Sequence, residues 1–322
     1  MQAFQVTDFT KSPSIARIEK PVPGEGEVLL QVLACGLNFA DLLMARGEYQ
    51  DTPVPPFTLG LEMAGTVVAT GAGQTDIPIG GRFACFSGKG GLAEFASVSA
   101  NSLVAIPDDM PANDAAAFMV AYGTSHVALS HKAKLLAGET LLVLGAAGGV
   151  GLTAVEIGKL MGARVIACAR GEKKLEAAEA AGADHLIDTS TNDLKETVRA
   201  LGGADVVYDP VGGELFRSAL GCTRPEGRIL IIGFASGDIP QIPANIMLVK
   251  NISALGFYWG GYLKFRPDVV RDSLNELIKW YADGRIRPHI GATFPLRQAE
   301  DALALLRERK STGKVVVEVT SL

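Results

Sequence analysis

Residues 142–151 read LVLGAAGGVG. An apolar run stops at Gly145, and Gly148 and Gly151 follow where a helical pattern begins, with Val150, Ala154, Ile157 and Met161 on one face. Glycine lets a backbone turn tightly and come close to a phosphate. A helix N-terminus aims free N–H groups and a positive dipole end at the same place. The spacing G-x-x-G-x-x-G departs from the common G-x-G-x-x-G, so context carries the weight. Strand, glycine turn and helix are followed by a second strand, ARVIACA at 163–169. The pattern predicts a β-α-β unit that binds a dinucleotide; a tight turn with no ligand is the plain alternative.

Outward from this unit, EKKLEAAEAAG reads as a helix stopped by Gly182, and ADVVYD (204–209), GRILIIG (227–233) and ISALGF (252–257) read as further strands. Continuous apolar strands separated by helices mark a parallel sheet covered on both faces, a doubly wound domain. The first third differs. EVLLQVLACG, MAGTVVATGAG, GRFACF and AEFASVS are short runs punctuated by Gly, Pro and Asp, as in irregular β structure. Late in the chain, Val270, Leu274, Leu277, Ile278 and Tyr281 line one helix face that Gly284 can end, and LRQAEDALALLRER is a second helix. KVVVEV returns to period two, with Val315, Val317 and Val319 on one side, and suits the β-rich part. The expected organisation is a β-rich domain over 1–119, rejoined by 286–322, and a doubly wound domain over 120–285.

With 322 residues, two cores are expected rather than one. Hydrophobic residues at 48% and charged residues at 20% describe a globular chain, and a net charge of −5 argues against nucleic acid or an anionic membrane as partner. The first twenty residues lack the apolar core of a signal peptide, and no stretch is long and apolar enough to span a bilayer, so a cytoplasmic protein is expected. Cys35, Cys85, Cys168 and Cys222 are far apart, and His126, His131, His185 and His289 are scattered. No metal site is expected, and the cysteines read as small buried residues.

The end of the second strand selects among dinucleotides. Where NAD-binding units carry a carboxylate for the ribose 2′-hydroxyl, this chain has Ala169 and Arg170, then Lys173 and Lys174. A guanidinium and an ammonium there favour a 2′-phosphate, hence NADPH, through Arg170 and Lys174. Solvated charges at a helix start, with Glu172 as a competing acceptor, are the other reading.

CGLNFADLLMARGEY, PFTLGLEMAGTVVATG, AYGTSHVAL, GAAGGVG and TGKVVVEV, in this order and spacing, resemble the medium-chain dehydrogenase/reductase superfamily. Within it they are similar to the zinc-free quinone oxidoreductase (zeta-crystallin-like) group. The resemblance spans essentially the whole chain. It implies an α/β protein with a GroES-like catalytic domain and a Rossmann domain, an active site in the cleft between them, and a homodimer or homotetramer. In zinc-dependent relatives a cysteine and a histidine bind the metal where this sequence has Asn38 and Leu61; Glu62 alone is retained.

By the same resemblance, Asn38 and Tyr49 border the nicotinamide, with Tyr49 as candidate donor to the reduced oxygen and Asp41 and Trp259 towards the substrate. Tyr49 reads equally as a packing residue that orients the ribose. Thr124 lies near the nicotinamide; Ala147, Gly148, Gly149 and Val150 lie against the pyrophosphate. Gly233, Phe234, Ala235 and Phe257 follow strands at the ribose and carboxamide, although aromatic residues there are as often core as site. Lys314 is a candidate cofactor contact. One departure counts against NADPH: relatives carry Tyr or His after a strand-ending Asn on the 2′-phosphate side, and here that pair is Asp188-Thr189. The implied reaction is hydride transfer from NADPH to a small-molecule quinone. A conjugated carbonyl or enoyl thioester is the rival acceptor, and a non-catalytic NADPH-binding structural or RNA-binding protein the rival class.

Overall fold

Thr140–Leu144, TLLVL, is buried at every position and lies inside a six-stranded parallel sheet. The computed structural model describes residues 1–73 and 76–320, and it divides into two units. One comprises Met1–Val120 with the chain from Ile278 onward; the other is Ala121–Leu277. The cuts fall inside the helices Met119–His126 and Pro267–Ala282.

In the second unit the strands lie in the order His185–Asp188, Arg164–Ala169, Thr140–Leu144, Ala204–Asp209, Thr223–Ile231, Ser253–Gly256. The chain winds outward on one side of Thr140–Leu144, then returns to its other side for the last three strands. This is the doubly wound dinucleotide-binding order, and its switch point lies between Thr140–Leu144 and Ala204–Asp209. Leu142, Leu144, Ile166, Cys168, Val207 and Ile229 share one core with Phe216 and Ala219 of the helix Gly213–Cys222. The strand His185–Asp188 and the helix Leu194–Ala200 were not expected from the sequence. HLID is four residues long with Ile187 alone buried; it is a strand because it pairs with Arg164–Ala169, which no local signal announces.

In the first unit, Glu27–Leu37 is the spine of a seven-stranded sheet. Glu62–Thr70 pairs along one of its edges, while Phe95–Ser99 and Lys314–Glu318 share the other, all antiparallel. Ile290–Pro295 adds to Lys314–Glu318 in parallel. The period-two pattern expected at the C-terminus does not hold: Val315, Val316 and Val317 are all 0% exposed, because this strand has neighbours on both edges and cover on both faces. A smaller sheet joins Gln2–Val6 to Ser14–Arg17 and Phe57–Thr58.

Pro267–Ala282 buries Val270, Leu274, Leu277 and Tyr281, and ends where Gly284 takes φ +70° and donates to the Tyr281 carbonyl at 2.9 Å. All four cysteines are reduced and buried. Burial pushes the Cys85 thiol up to about 12 and the Cys222 thiol up to about 11, and raises those of Cys35 and Cys168 as well.

The helix Gly149–Leu160 packs on the glycine turn through Gly151, whose missing Cβ would lie 2.2 Å from the Gly145 carbonyl oxygen and 2.9 Å from Ala146 Cα. Both neighbours are backbone and have no rotamer to move. Gly151→Ala is expected to push the helix off the turn and cost about 1–3 kcal/mol. A urea midpoint equal to that of the wild type would contradict this account.

Candidate functional site

Gly145 holds φ +58°, a conformation costly for other residues, and turns the chain directly out of the sheet. Gly148 is the N-cap of Gly149–Leu160 with φ −78° and ψ 173°, and no side chain among the described residues caps the helix. Its own N–H folds back on the Gly145 carbonyl at 3.0 Å. The first-turn N–H groups of an α-helix have no partner within it, so this end offers donors and a positive dipole to an anion. Gly148, Gly149 and Val150 are half-buried here; Ala147 is 2% exposed, so backbone alone serves a ligand at that position.

The ends of the neighbouring strands complete this rim. Arg170 is exposed directly after Arg164–Ala169, and Lys174 lies half-buried in the first turn of Glu172–Ala180. Asp188 ends the third strand and turns its carboxylate to the Gly171 N–H, 3.2 Å from each oxygen. Across the switch point, Asp209 is 1% exposed and accepts from the Val211 and Gly212 N–H groups at 2.8 and 2.9 Å, while burial raises its pKa. Sequence reasoning passed over Asp209, though a strand-ending Asp followed by Pro-Val-Gly-Gly is itself a turn signal.

Gly233 and Ala235 spend their N–H groups on the carbonyls of Asp209 (3.4 Å) and Pro210 (3.0 Å). Those two donors are therefore committed within the loop, and the carbonyls of Gly233 and Ala235 are what the backbone has left to offer a ribose or nicotinamide. Trp259 and Phe257 are buried, 4% and 7% exposed. Trp259 packs on Gly123, where a Cβ would lie 2.8 Å from Nε1, and the Phe257 ring lies 5.2 Å from that of Tyr262, tilted by 44°. Thr124 is 7% exposed. Its neighbour Ser125 joins a buried hydroxyl cluster, 2.7 Å from Thr153 Oγ1 and 3.0 Å from Tyr208 Oη.

In the first unit, charge is concentrated around Asn38. Lys314, 5% exposed, donates to Glu62 Oε1 and Asn38 Oδ1, both at 2.7 Å, and to the Leu37 carbonyl at 2.8 Å. An ammonium has three donors, so none is left over. Lys314, the candidate cofactor contact, has its charge met inside the chain by Glu62. Glu62, 1% exposed, also accepts from Asn38 Nδ2 at 2.9 Å and from the Val120 N–H at 2.9 Å. With Nδ2 also donating to the Gly36 carbonyl at 3.3 Å, the Asn38 side chain is held at both ends.

Asp41 is 0% exposed, and its oxygens accept from the N–H groups of Asn38 at 2.8 Å and Gly60 at 3.1 Å. Burial lifts its carboxyl to about 7, against the pull of those hydrogen bonds and of Lys314. So placed, Asp41 fixes the loop that carries Asn38. Tyr49 is half-buried on the apolar cluster containing Leu42 and Met44. Its backbone is pinned by Thr52, which accepts from the Tyr49 N–H at 3.1 Å and donates to the Tyr49 carbonyl at 2.6 Å. Among the described residues no three His, Cys, Asp or Glu side chains gather as a metal site.

Known proteins match this chain in both units. The family of the alcohol dehydrogenase GroES-like domain matches residues 24–108, and that of the zinc-binding dehydrogenase matches residues 149–281. Quinone oxidoreductase-like protein 2 homolog of Nematostella vectensis is 41% identical over 300 residues, covering 91% of this chain and 82% of the relative. Quinone oxidoreductase-like protein 2 of Bos taurus is 40% identical over 314 residues, covering 96% and 90%. The quinone oxidoreductase of Thermus thermophilus, whose structure is also known in complex with NADPH, superposes with a TM-score of 0.87. It is 33% identical, with 99% of this chain and 100% of that one covered. The chain therefore belongs to the quinone oxidoreductase group of the medium-chain dehydrogenase/reductase superfamily.

Proposed function

We propose that this oxidoreductase binds NADPH at its glycine turn and reduces quinones by hydride transfer without zinc. The observation that carries the reading is the uncapped N-terminus of Gly149–Leu160, set on a glycine turn at the first strand of a doubly wound sheet. The turn fits a pyrophosphate: its chain neighbours aside, a Cβ on Gly148 would meet within 4 Å only the Gly145 carbonyl oxygen, at 3.4 Å, among the described residues. Gly149 and Val150 hold the pyrophosphate through their N–H groups, Gly148 gives it room to approach by having no side chain, and Arg170 and Lys174 take the 2′-phosphate. NADPH supplies the hydride when bound.

The residues around Asn38 explain how the chain works without a metal. An ammonium already neutralises Glu62, and a zinc ion would have to displace it. Hydride addition places negative charge on the acceptor oxygen, which conjugation in a quinone spreads. The chain then has to position the acceptor and donate hydrogen bonds. Tyr49 is the donor to that oxygen. Asn38 orients a hydroxyl of the cofactor; Lys314 acts through Asn38 as a positioning residue. Enones and enoyl thioesters share the same hydride step and are the alternative acceptors.

The same reading extends to a homodimer. Ile239, Leu248 and Val249 are 66%, 76% and 75% exposed, no residue of the helix Ala244–Lys250 is fully buried, and Ser253–Gly256 is an edge strand. An apolar surface near an open sheet edge suits a second copy of the chain.

Purified protein is expected to oxidise NADPH with a quinone as acceptor, and Tyr49→Phe to lower kcat by about tenfold or more. Turnover confined to enones or enoyl thioesters would move the acceptor class; NADPH binding without any turnover would remove the enzyme reading; unchanged kcat in Tyr49→Phe would remove the role of that hydroxyl. Lys314→Met leaves a buried carboxylate unpaired and is expected to destabilise the fold by about 3–5 kcal/mol, with Lys314→Met/Glu62→Gln recovering part of it. Urea denaturation checks both variants, and a single variant as stable as wild type would refute the pairing. Sedimentation should show a dimer that Leu248→Glu/Val249→Glu dissociates; a wild-type monomer at micromolar concentration would end the assembly proposal.

A further inference from the structure

Asp188 lies in register beside Ala169, on the strand next to the one that delivers Arg170. Its carboxylate accepts four contacts: the Gly171 N–H at 3.2 Å to each oxygen, the Ser190 N–H at 2.9 Å and the Ser190 hydroxyl at 2.6 Å. The Ser190 and Gly171 bonds, with the nearby Arg170 guanidinium, hold its pKa below the usual carboxylate value, so it is ionised at neutral pH. The negative charge is fixed in direction and does not sweep through solvent. It points at the start of Glu172–Ala180, where Gly171, at φ +83°, is the N-cap.

That is the rim where a ribose 2′-substituent would meet Arg170. A 2′-phosphate seeks backbone N–H donors and cationic side chains, and it carries close to two negative charges at neutral pH. Here the Gly171 N–H is already taken, and by an anion. A free 2′-hydroxyl has the opposite preference, since it donates to a carboxylate. Arg170 and Asp188 therefore favour opposite cofactors from adjacent strand ends.

We propose that Asp188 is a specificity-determining residue: its carboxylate occupies the Gly171 N–H and opposes a 2′-phosphate, so that the chain uses NADH as well as NADPH. The proposal rests on the reading that this unit binds a nicotinamide dinucleotide. It concerns the choice between the two, not the binding itself.

The test is calorimetric titration of the full chain with NADPH and with NADH, for wild type, Asp188→Asn and Asp188→Ser. Asp188→Asn keeps an acceptor oxygen for the Gly171 and Ser190 N–H groups, Asp188→Ser withdraws it, both remove the charge, and NADH binding by either variant reports an intact site. The wild-type Kd values for the two cofactors are expected within about tenfold of each other. Each variant is expected to bind NADPH about tenfold tighter, with NADH unchanged or weaker, and the gain should shrink as salt is raised. Variants with the wild-type ratio of the two Kd values overturn the proposal while the cofactor site stands. So does a wild type that binds NADPH and rejects NADH. A wild type that binds neither overturns the dinucleotide reading, and this proposal with it.

Discussion

A charge removed from water must be neutralised where it lies, and in this protein that constraint falls on Lys314 and Glu62. They are 252 residues apart in sequence and 2.7 Å apart in space, both nearly inaccessible. Desolvating the two groups costs several kcal/mol each, so the pair is tolerable only because every remaining donor and acceptor is answered. Leu37 and Asn38 take the other two ammonium hydrogens, and the Val120 N–H takes the free carboxylate oxygen. The arrangement fastens the last strand of the chain, Lys314–Glu318, to the spine Glu27–Leu37 at the point where Asn38 leaves it. Asp41 and Gly60 hold the same loop from below. Asn38 is thus presented by a scaffold without spare hydrogen bonds, which suits a group that must not move.

The second unit meets the reverse requirement. There the backbone is left short of partners at one helix end, and glycine keeps that end clear. The donors within the flanking loops are spent instead: Asp209 consumes those of Val211 and Gly212, and the Asp209 and Pro210 carbonyls consume those of Gly233 and Ala235. Loops so tied leave the uncapped helix as the prominent cationic feature at the switch point.

What the sequence made legible was local. The glycine turn, the helix Gly149–Leu160 after it and the stop at Gly284 depend on neighbours a few residues away, and each left its mark in spacing. What it hid was non-local. HLID becomes a strand only by pairing with Arg164–Ala169, and Val316 is buried only because strands flank it on both edges. Within the site, residue types were informative and partners were not. Asn38 and Glu62 were singled out from motifs, yet nothing near Lys314 in the chain shows that its ammonium ends on Glu62 rather than on a ligand. Asp41 was placed towards the substrate by resemblance; its burial follows from a fold of the loop around Gly60 that spacing does not encode.

The burial of the four cysteines carries a chemical consequence. Quinones and conjugated carbonyls are electrophiles, and the group they alkylate most readily in proteins is the thiolate. Cys35, Cys85 and Cys168 are 0% exposed and Cys222 is 3% exposed, and in each the surroundings hold the sulfur in its protonated form at neutral pH. An electrophile diffusing over this surface meets no reactive sulfur. Packing that would be called ordinary in another protein gives this one an exterior without a reactive thiol towards the compounds it is proposed to reduce.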